Sequence, residues 1–514
     1  MVHGSWDEFL KDLRSCRTVF YDTTLRDGAQ TPGVNFSLDD KLALARRLDS
    51  FGFHYIEAGW PSTGPVDAGL FKKLACEKFT ARIAAFGMTS ARPAHDPQIG
   101  KLLDSGAGTL TIFGKASESH AREVLKVSAE ENISMIGETV DFLKSHGREV
   151  FFDAEHFFDS YKTGPDYAIE AAGAAKSADC IVLCDTNGGL MPWEADRICR
   201  AAKARAKTLG IHCHNDSGSA VMNSLIALAH GFCHIQGTVN GLGERCGNTD
   251  WCELLPALRF KAGAETPDLA GLYPLSLYVE RMTGFTLQPN KPYVGANAFA
   301  HKAGVHIDAA MKTGSAYEHV PPESVGNRRI FSFSEQSGRS AVITAAKNHG
   351  LSLVKDDKIV GEVTEALKAG RGATDAEVYT MLMRKSGAAE HFRVLDYTVS
   401  VSSSGAAQAS VEMEVGSEQL HEISRGVGPV HALDLAIRKA LGRFYDVKDV
   451  CLKNYRVRIL NQEKATAASV EVFIEFSRNG ISWSTVGISD DIIRASGQAL
   501  IKGYEYYLLR CERK

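Results

Sequence analysis

From Arg17 to about residue 263, eight short β-rich runs alternate with stretches of helical period. The runs are TVFYDTTL (18–25), YIEAGW (55–60), RIAAFG (82–87), TLTIFG (109–114), EVFFDAEHF (149–157), CIVLCDT (180–186), IHCHND (211–216) and HIQGTVNG (234–241). Between them lie amphipathic segments such as SLDDKLALARRLDSFG, with Ser37 placed to cap a helix and Gly52 to stop it. Strands that are apolar almost throughout belong to a parallel sheet covered on both faces. Eight is the number that closes such a sheet into a (β/α)8 TIM barrel, and about 250 residues is the usual length of one. The alternative, an open doubly wound sheet, carries a G-x-G-x-x-G turn after its first strand. This chain has RDGAQT there instead.

At 514 residues the chain is too long for one domain. Residues 264–330 break the alternation, and LQPNKPYVGANAFAHKAG reads as a linker or loop-rich subdomain; helical patterns follow from about 335 to 390. Past 391 the pattern alternates: YTVSV (397–401) and ASVEMEV (409–415) precede the helical PVHALDLAIRKALGRF. YRVRI (455–459), ASVEVFIEF (468–476) and DDIIRASGQALIKGYEYY repeat that order, which implies a duplicated β-β-α unit. The expected α/β architecture is therefore a TIM barrel over 1–280, a helical linker subdomain over 281–390, and a C-terminal α+β domain over 391–514. The last suits oligomerisation or effector binding, or serves as structural support alone.

Net charge is −4, with no concentrated Lys/Arg stripe, so no nucleic-acid partner is expected. No apolar run reaches the roughly 18 residues of a membrane span. The polar, acid-bearing MVHGSWDEFLKDLRS has neither signal-peptide nor transit-peptide character. The 11 cysteines, an odd number, are scattered and mostly in apolar runs, which argues against a disulfide framework, and no C-x-x-C pair is present to hold a structural zinc; the expectation is a reduced, cytoplasmic protein.

In a TIM barrel the active site is built at the C-terminal ends of the strands. Here run one ends in Arg26-Asp27, run five carries Glu155, and run six ends in Asp185-Thr186. Run seven holds His212 and His214, and run eight leads to Glu244, Arg245 and Asn248. Residues two apart on a strand face one side, so both imidazoles point to one place. With Asp27, and with Asn248 nearby, they form a two-His, one-carboxylate set that leaves coordination positions open. Such a set suits Mn, Mg, Zn, Co or Fe, and nothing in it selects one.

YDTTLRDGAQTPGVNFS (21–37), HCHNDSGSAVMNSLIALAHG (212–231) and QGTVNGLGERCGNTD (236–250) closely resemble the signature segments of the isopropylmalate, homocitrate and citramalate synthase family. FAHKAGVHIDAAMK (299–312) and YEHVPPESVGNRR (317–329) look like its post-barrel subdomain, and the duplicated tail resembles its regulatory domain. The details GAQTPGVNFS, YIEAGWP and FFDAEHFFDSYK are most similar to the long citramalate-forming branch. The resemblance implies a divalent-metal-dependent acyltransferase that condenses acetyl-CoA with a 2-oxo acid, pyruvate in that branch, and then hydrolyses the thioester. It further implies a homodimer with a branched-chain amino acid effector, isoleucine or leucine, and a place in isoleucine synthesis.

Carried over by position, the resemblance implies Asp27, His212 and His214 as metal ligands, with Asn248 at or near the metal. Arg26 would hold the ketone oxygen and Thr186 the substrate carboxylate. Glu155 and His306 would handle protons, with Tyr317 assisting, and Gln30 and Glu244 would complete the surroundings. Phe86 and Phe113 fall at positions that line the acceptor's side-chain pocket, where two rings favour a methyl group, unless they only pack the barrel. Asp153 departs from the family pattern, which allows an aromatic there. The sister synthases, using 2-oxoisovalerate or 2-oxoglutarate, are the nearest alternatives, although no basic group for a distal carboxylate is evident. A hydroxyacyl-CoA lyase is disfavoured because Cys246 in GLGERCGNTD lies outside the lyase pattern.

Overall fold

The computed structural model describes residues 11, 13–14, 17–204, 208–301, 313, 316–333, 338–369, 373–403, 405–460, 468–479 and 481–511. Eight parallel strands close a barrel: β1 (Val19–Asp22), β2 (Tyr55–Gly59), β3 (Arg82–Met88), β4 (Thr109–Lys115), β5 (Glu149–Glu155), β6 (Cys180–Asp185), β7 (Leu209–Cys213) and β8 (His234–Gly237). Closure is made by β1, which pairs with β2 on one side and, through Val19–His234 to Asp22–Gly237, with β8 on the other. Every run read from the sequence supplies one strand. The helix Leu38–Phe51 begins at a Ser37–Asp40 capping box and ends at Gly52 with φ 106°, as its sequence signals require.

The lower barrel is filled rather than hollow. Tyr21, Tyr55 and Phe151 pack with His234 inside the ring, the Tyr21 and His234 ring centres 5.0 Å apart. A separate, larger apolar layer, including Leu44, Ile56, Leu110, Val150, Leu183 and Ile235, lies between strands and helices. With the bottom plugged by aromatic rings, Asp27, His212 and His214 gather toward the C-terminal mouth.

The chain divides into two compact units, residues 1–299 with 320–328, and 300–319 with 329–514. Within the stretch read as loop-rich, the structure has a helix, Leu272–Thr283, that buries Leu272, Leu275 and Val279 in the first unit. Pro274 obscures it in the sequence, but proline is tolerated in a first helical turn. The second unit holds helices Arg339–Asn348, Lys358–Ala369 and Asp375–Lys385, then a duplication. The duplicated unit is β-β-β-α rather than the expected β-β-α. Strands Phe392–Ser400, Ala407–Val415 and Glu418–Gly426 precede helix Pro429–Leu441, and strands Cys451–Ile459, Val470–Arg478 and Ile481–Ser489 precede helix Ile492–Cys511. The missed strands, EQLHEISRG and ISWSTVGIS, lie at sheet edges, and buried Glu422, Gly426, Thr485 and Gly487 stand at inward positions where the apolar alternation would need apolar side chains. Tyr504 ties the two repeats together by donating to Asp434 Oδ1 at 2.6 Å. Among the described residues, no helix is long and apolar enough to cross a membrane.

Candidate metal centre and acceptor site

Asp27 leaves β1 on a tight turn in which its backbone N–H donates to Thr23 O at 2.9 Å. His212 lies on β7, while His214 lies just past its end in a bridge to Asn248. That bridge exists because residues 241–250 fold back over the barrel: Asn215 donates to Gly247 O at 2.9 Å and Thr249 to Cys213 O at 3.0 Å. Thr31 fastens the same loop to the turn after β1 through Gly243 N, 2.8 Å away. Position 243 has φ 158°, and a Cβ there would overlap Asn248 Oδ1, so glycine is needed for the asparagine to reach the site.

One ligand-type atom each from Asp27, His212 and His214 lies within 4.8 Å of the others, and all three residues are buried. His212 Nε2 is 3.3 Å from Asp27 Oδ2, and Asn248 Nδ2 donates to that same oxygen at 2.9 Å. The other Asp27 oxygen, the Asn248 carbonyl oxygen and His214 Nδ1 are buried with no hydrogen-bond partner. Stranded acceptors of this kind at one point are costly unless a cation satisfies them. Burial opposes the charge on Asp27, but Arg26 and the two imidazoles outweigh it and hold the carboxyl far below its usual range. Burial, with His212 alongside, pushes His214 down to about 4, so its ring is neutral and can donate a lone pair. The donor set therefore fits a divalent ion.

Arg26 is fixed on three sides. Its Nε donates to Glu57 at 2.6 Å, one terminal nitrogen lies 3.5 Å from Asp27, and the guanidinium sits 3.9 Å over the Phe86 ring. Burial works against its charge, but Glu57 and Asp27 hold it more firmly protonated than a free arginine. Phe86 stacks on Phe113 at 5.3 Å with the planes 14° apart. Thr186 follows β6 and accepts from the His156 backbone N–H at 2.8 Å, which links it to the end of β5 beside Glu155.

Two of the remaining expected residues are exposed in the first unit. Gln30 is exposed in the short turn Gly28–Gln30, and Glu244 is exposed beside Arg245. Tyr317 is exposed and belongs to the second unit; His306 lies outside the described residues.

Several residues enter the site that sequence reasoning did not single out. Glu57, fully buried, accepts from Tyr21, Thr23 and Arg26. A carboxylate inside the apolar YIEAGW was the available signal. Gln236 Oε1 lies 2.8 Å from His212 Nδ1, which leaves Nε2 to face Asp27, and the Gln236 amide nitrogen donates to Asp153 at 2.9 Å. Burial and the nearby Glu57 raise the Asp153 carboxyl to about 7. Asp153 thus braces His212 through Gln236 instead of supplying the aromatic that the family pattern allows. Lys115 pairs with Glu155 at the mouth. His156 adopts a left-handed backbone with φ 62°, its ring 4.0 Å from His120.

The comparisons agree along the whole chain. The HMGL-like family model matches residues 17–278, the homocitrate synthase post-HMGL domain-like model 293–374, and the LeuA allosteric (dimerisation) domain model 358–508. The (R)-citramalate synthase of Geobacter sulfurreducens is 41% identical over 96% of this chain and 98% of its own. That of Aquifex aeolicus is 41% identical over 97% and 99%. The 2-isopropylmalate synthase of Methanocaldococcus jannaschii is more distant, 33% identical over 97% and 96%. A full-length likeness of this degree, on a barrel whose mouth gathers Arg26, Asp27, His212, His214 and Asn248, places the chain in the HMGL-like family, within its citramalate synthase group.

Proposed function

We propose that this acyltransferase joins the methyl carbon of acetyl-CoA to the ketone carbon of pyruvate, then hydrolyses the thioester to release (R)-citramalate and CoA. One observation carries the reading: Arg26 is locked beside the candidate metal ligands and against the Phe86–Phe113 stack. A permanent cation there meets the oxyanion that forms as the ketone is attacked, and two rings beside it suit a methyl substituent. The nearer likeness to citramalate synthases than to isopropylmalate synthases supports the same acceptor.

Asp27, His212 and His214, with Asn248 at the edge, would hold a divalent metal, which supplies Lewis-acid polarisation of the oxo acid. Thr186 would hold the substrate carboxylate. Glu155, His306 and Tyr317 would move the protons, including the one the acetyl methyl must lose. Gln30 and Glu244 would complete the surroundings of the site. In the domain plan we favour, residues 1–280 carry the chemistry, 281–390 complete the site, and 391–514 regulate it and dimerise. The nine free cysteines among the described residues accord with work in the cytoplasm.

The test is release of free CoA thiol from acetyl-CoA with pyruvate, 2-oxobutyrate, 2-oxoisovalerate or 2-oxoglutarate. Pyruvate is expected to give the highest kcat/KM, at least about tenfold above 2-oxoisovalerate, since each extra methylene is worth about 1–3 kcal/mol in a tight pocket. A preference for 2-oxoisovalerate refutes the acceptor while leaving fold and site intact. For the tail, we propose isoleucine, or else leucine, as inhibitor. Deleting residues after 391 should abolish inhibition in that assay, and unchanged inhibition excludes the tail as sensor.

A further inference from the structure

The end of β2 brings a third ring to the acceptor pocket. Trp60 follows the last strand residue, Gly59, and its indole stands edge-on to both phenylalanines: 5.6 Å and 83° from Phe86, 5.7 Å and 85° from Phe113. It therefore bridges the stacked pair on whose Phe86 face Arg26 rests. Trp60 is half-buried at the barrel mouth, whereas the rings that serve the barrel core, such as Tyr21, are closed off from solvent.

The backbone around Trp60 is built to hold it. Its N–H donates to Asp67 Oδ2 at 2.8 Å, and its carbonyl accepts from the Thr63 N–H at 3.1 Å and the Thr63 hydroxyl at 2.8 Å. Asp67 is anchored in turn by Lys41 at 2.5 Å. Gly59 has φ 150°, and a Cβ at that position would strike the Asp67 carboxylate. A glycine, an aspartate and a buried lysine thus fix where the indole stands. Beside Phe113 on the neighbouring strand, Asp153 is committed to Gln236, so β5 contributes no ring at this level. The apolar enclosure is made by β2, β3 and β4.

We propose that Trp60 is a specificity-determining residue, the third wall that limits the 2-oxo acid's side chain to a methyl group. The inference rests on the acceptor-site reading above and extends it to a residue in direct contact with the two rings. Without the indole, the space beside Phe86 and Phe113 opens toward solvent, and an ethyl or isopropyl group gains room.

The experiment is steady-state thiol-release kinetics on the full chain with pyruvate, 2-oxobutyrate and 2-oxoisovalerate, for wild type, Trp60→Phe and Trp60→Leu. Circular dichroism and bound-metal content serve as controls. Trp60→Leu is expected to raise the kcat/KM ratio of 2-oxobutyrate over pyruvate on the order of tenfold, mainly through a higher KM for pyruvate. Trp60→Phe should shift it less. An unchanged ratio in a folded, metal-loaded Trp60→Leu protein overturns the proposal. If that variant does not fold, Trp60→Phe decides: a threefold or larger shift supports the wall, and no shift overturns it. A wild type that prefers 2-oxoisovalerate sinks the pyruvate reading, but Trp60 is still judged by the change in ratio between variant and wild type.

Discussion

Replacing His212 by alanine is expected to reduce bound divalent metal to background and to abolish thiol release with it. The reasoning starts from what surrounds the imidazole. His212 is buried, its Nδ1 is engaged by Gln236 and its Nε2 faces Asp27 Oδ2. Removing it leaves Asp27 with Arg26 and Asn248, so the carboxylate keeps compensating partners and the barrel should still fold. What is lost is one of only two nitrogen donors in the group. Gln236→Leu provides the graded arm. It removes a support rather than a ligand and should weaken metal binding about 10–100-fold, since partners that orient a ligand histidine contribute on that scale. Elemental analysis of dialysed protein and a metal titration followed by calorimetry read both variants. Full metal content and turnover in His212→Ala would refute the metal centre. If Gln236→Leu binds metal as tightly as wild type, the Asp153–Gln236–His212 chain has no part in it.

The contrast between His212 and Gln236 also marks what a sequence can disclose. His-x-His is visible because strand geometry turns two residues of one segment to the same side. The eight strands are visible for a related reason, since each is a local run of apolar residues between helical segments. Gln236 and Glu57 act on residues from other parts of the chain, His212 from 24 and Arg26 from 31 positions away, and their partners become neighbours only when the strands pair. Trp60 is similar. In the linear chain it is one aromatic before a proline, and its contact with Phe86 and Phe113 depends on three strand ends lying side by side. Asp153 shows the opposite case, a residue whose oddness was visible but whose purpose required Gln236 in view. In the tail, the third strand of each repeat escaped because its inward positions include Glu422 and Gly426, or Thr485 and Gly487, where Ala407–Val415 and Val470–Arg478 turn apolar side chains inward.

Arg26→Lys is expected to lower kcat about 10²–10³-fold, or about 2.7–4 kcal/mol, while bound metal stays at the wild-type level. The substitution keeps a positive charge, so any loss reports geometry. The guanidinium does three things at once: it donates to Glu57, approaches Asp27 and lies flat on Phe86. An ammonium is a compact point charge with no planar face, and it cannot meet Glu57 and cover the ring from one position. Glu57 retains donors in Tyr21 and Thr23, and the lysine keeps a cation in reach, so the buried carboxylate is not abandoned. Arg26→Ala lacks that protection, because a buried charge left without its partner costs about 3–5 kcal/mol in stability. Lysine is therefore the cleaner probe. The measurements are kcat and KM for pyruvate by thiol release, with elemental analysis on the same preparation. A fall confined to KM would assign Arg26 to ground-state binding only. An unchanged kcat would show that the oxyanion is met by another group, and the assignment of Arg26 to the reacting ketone would fail.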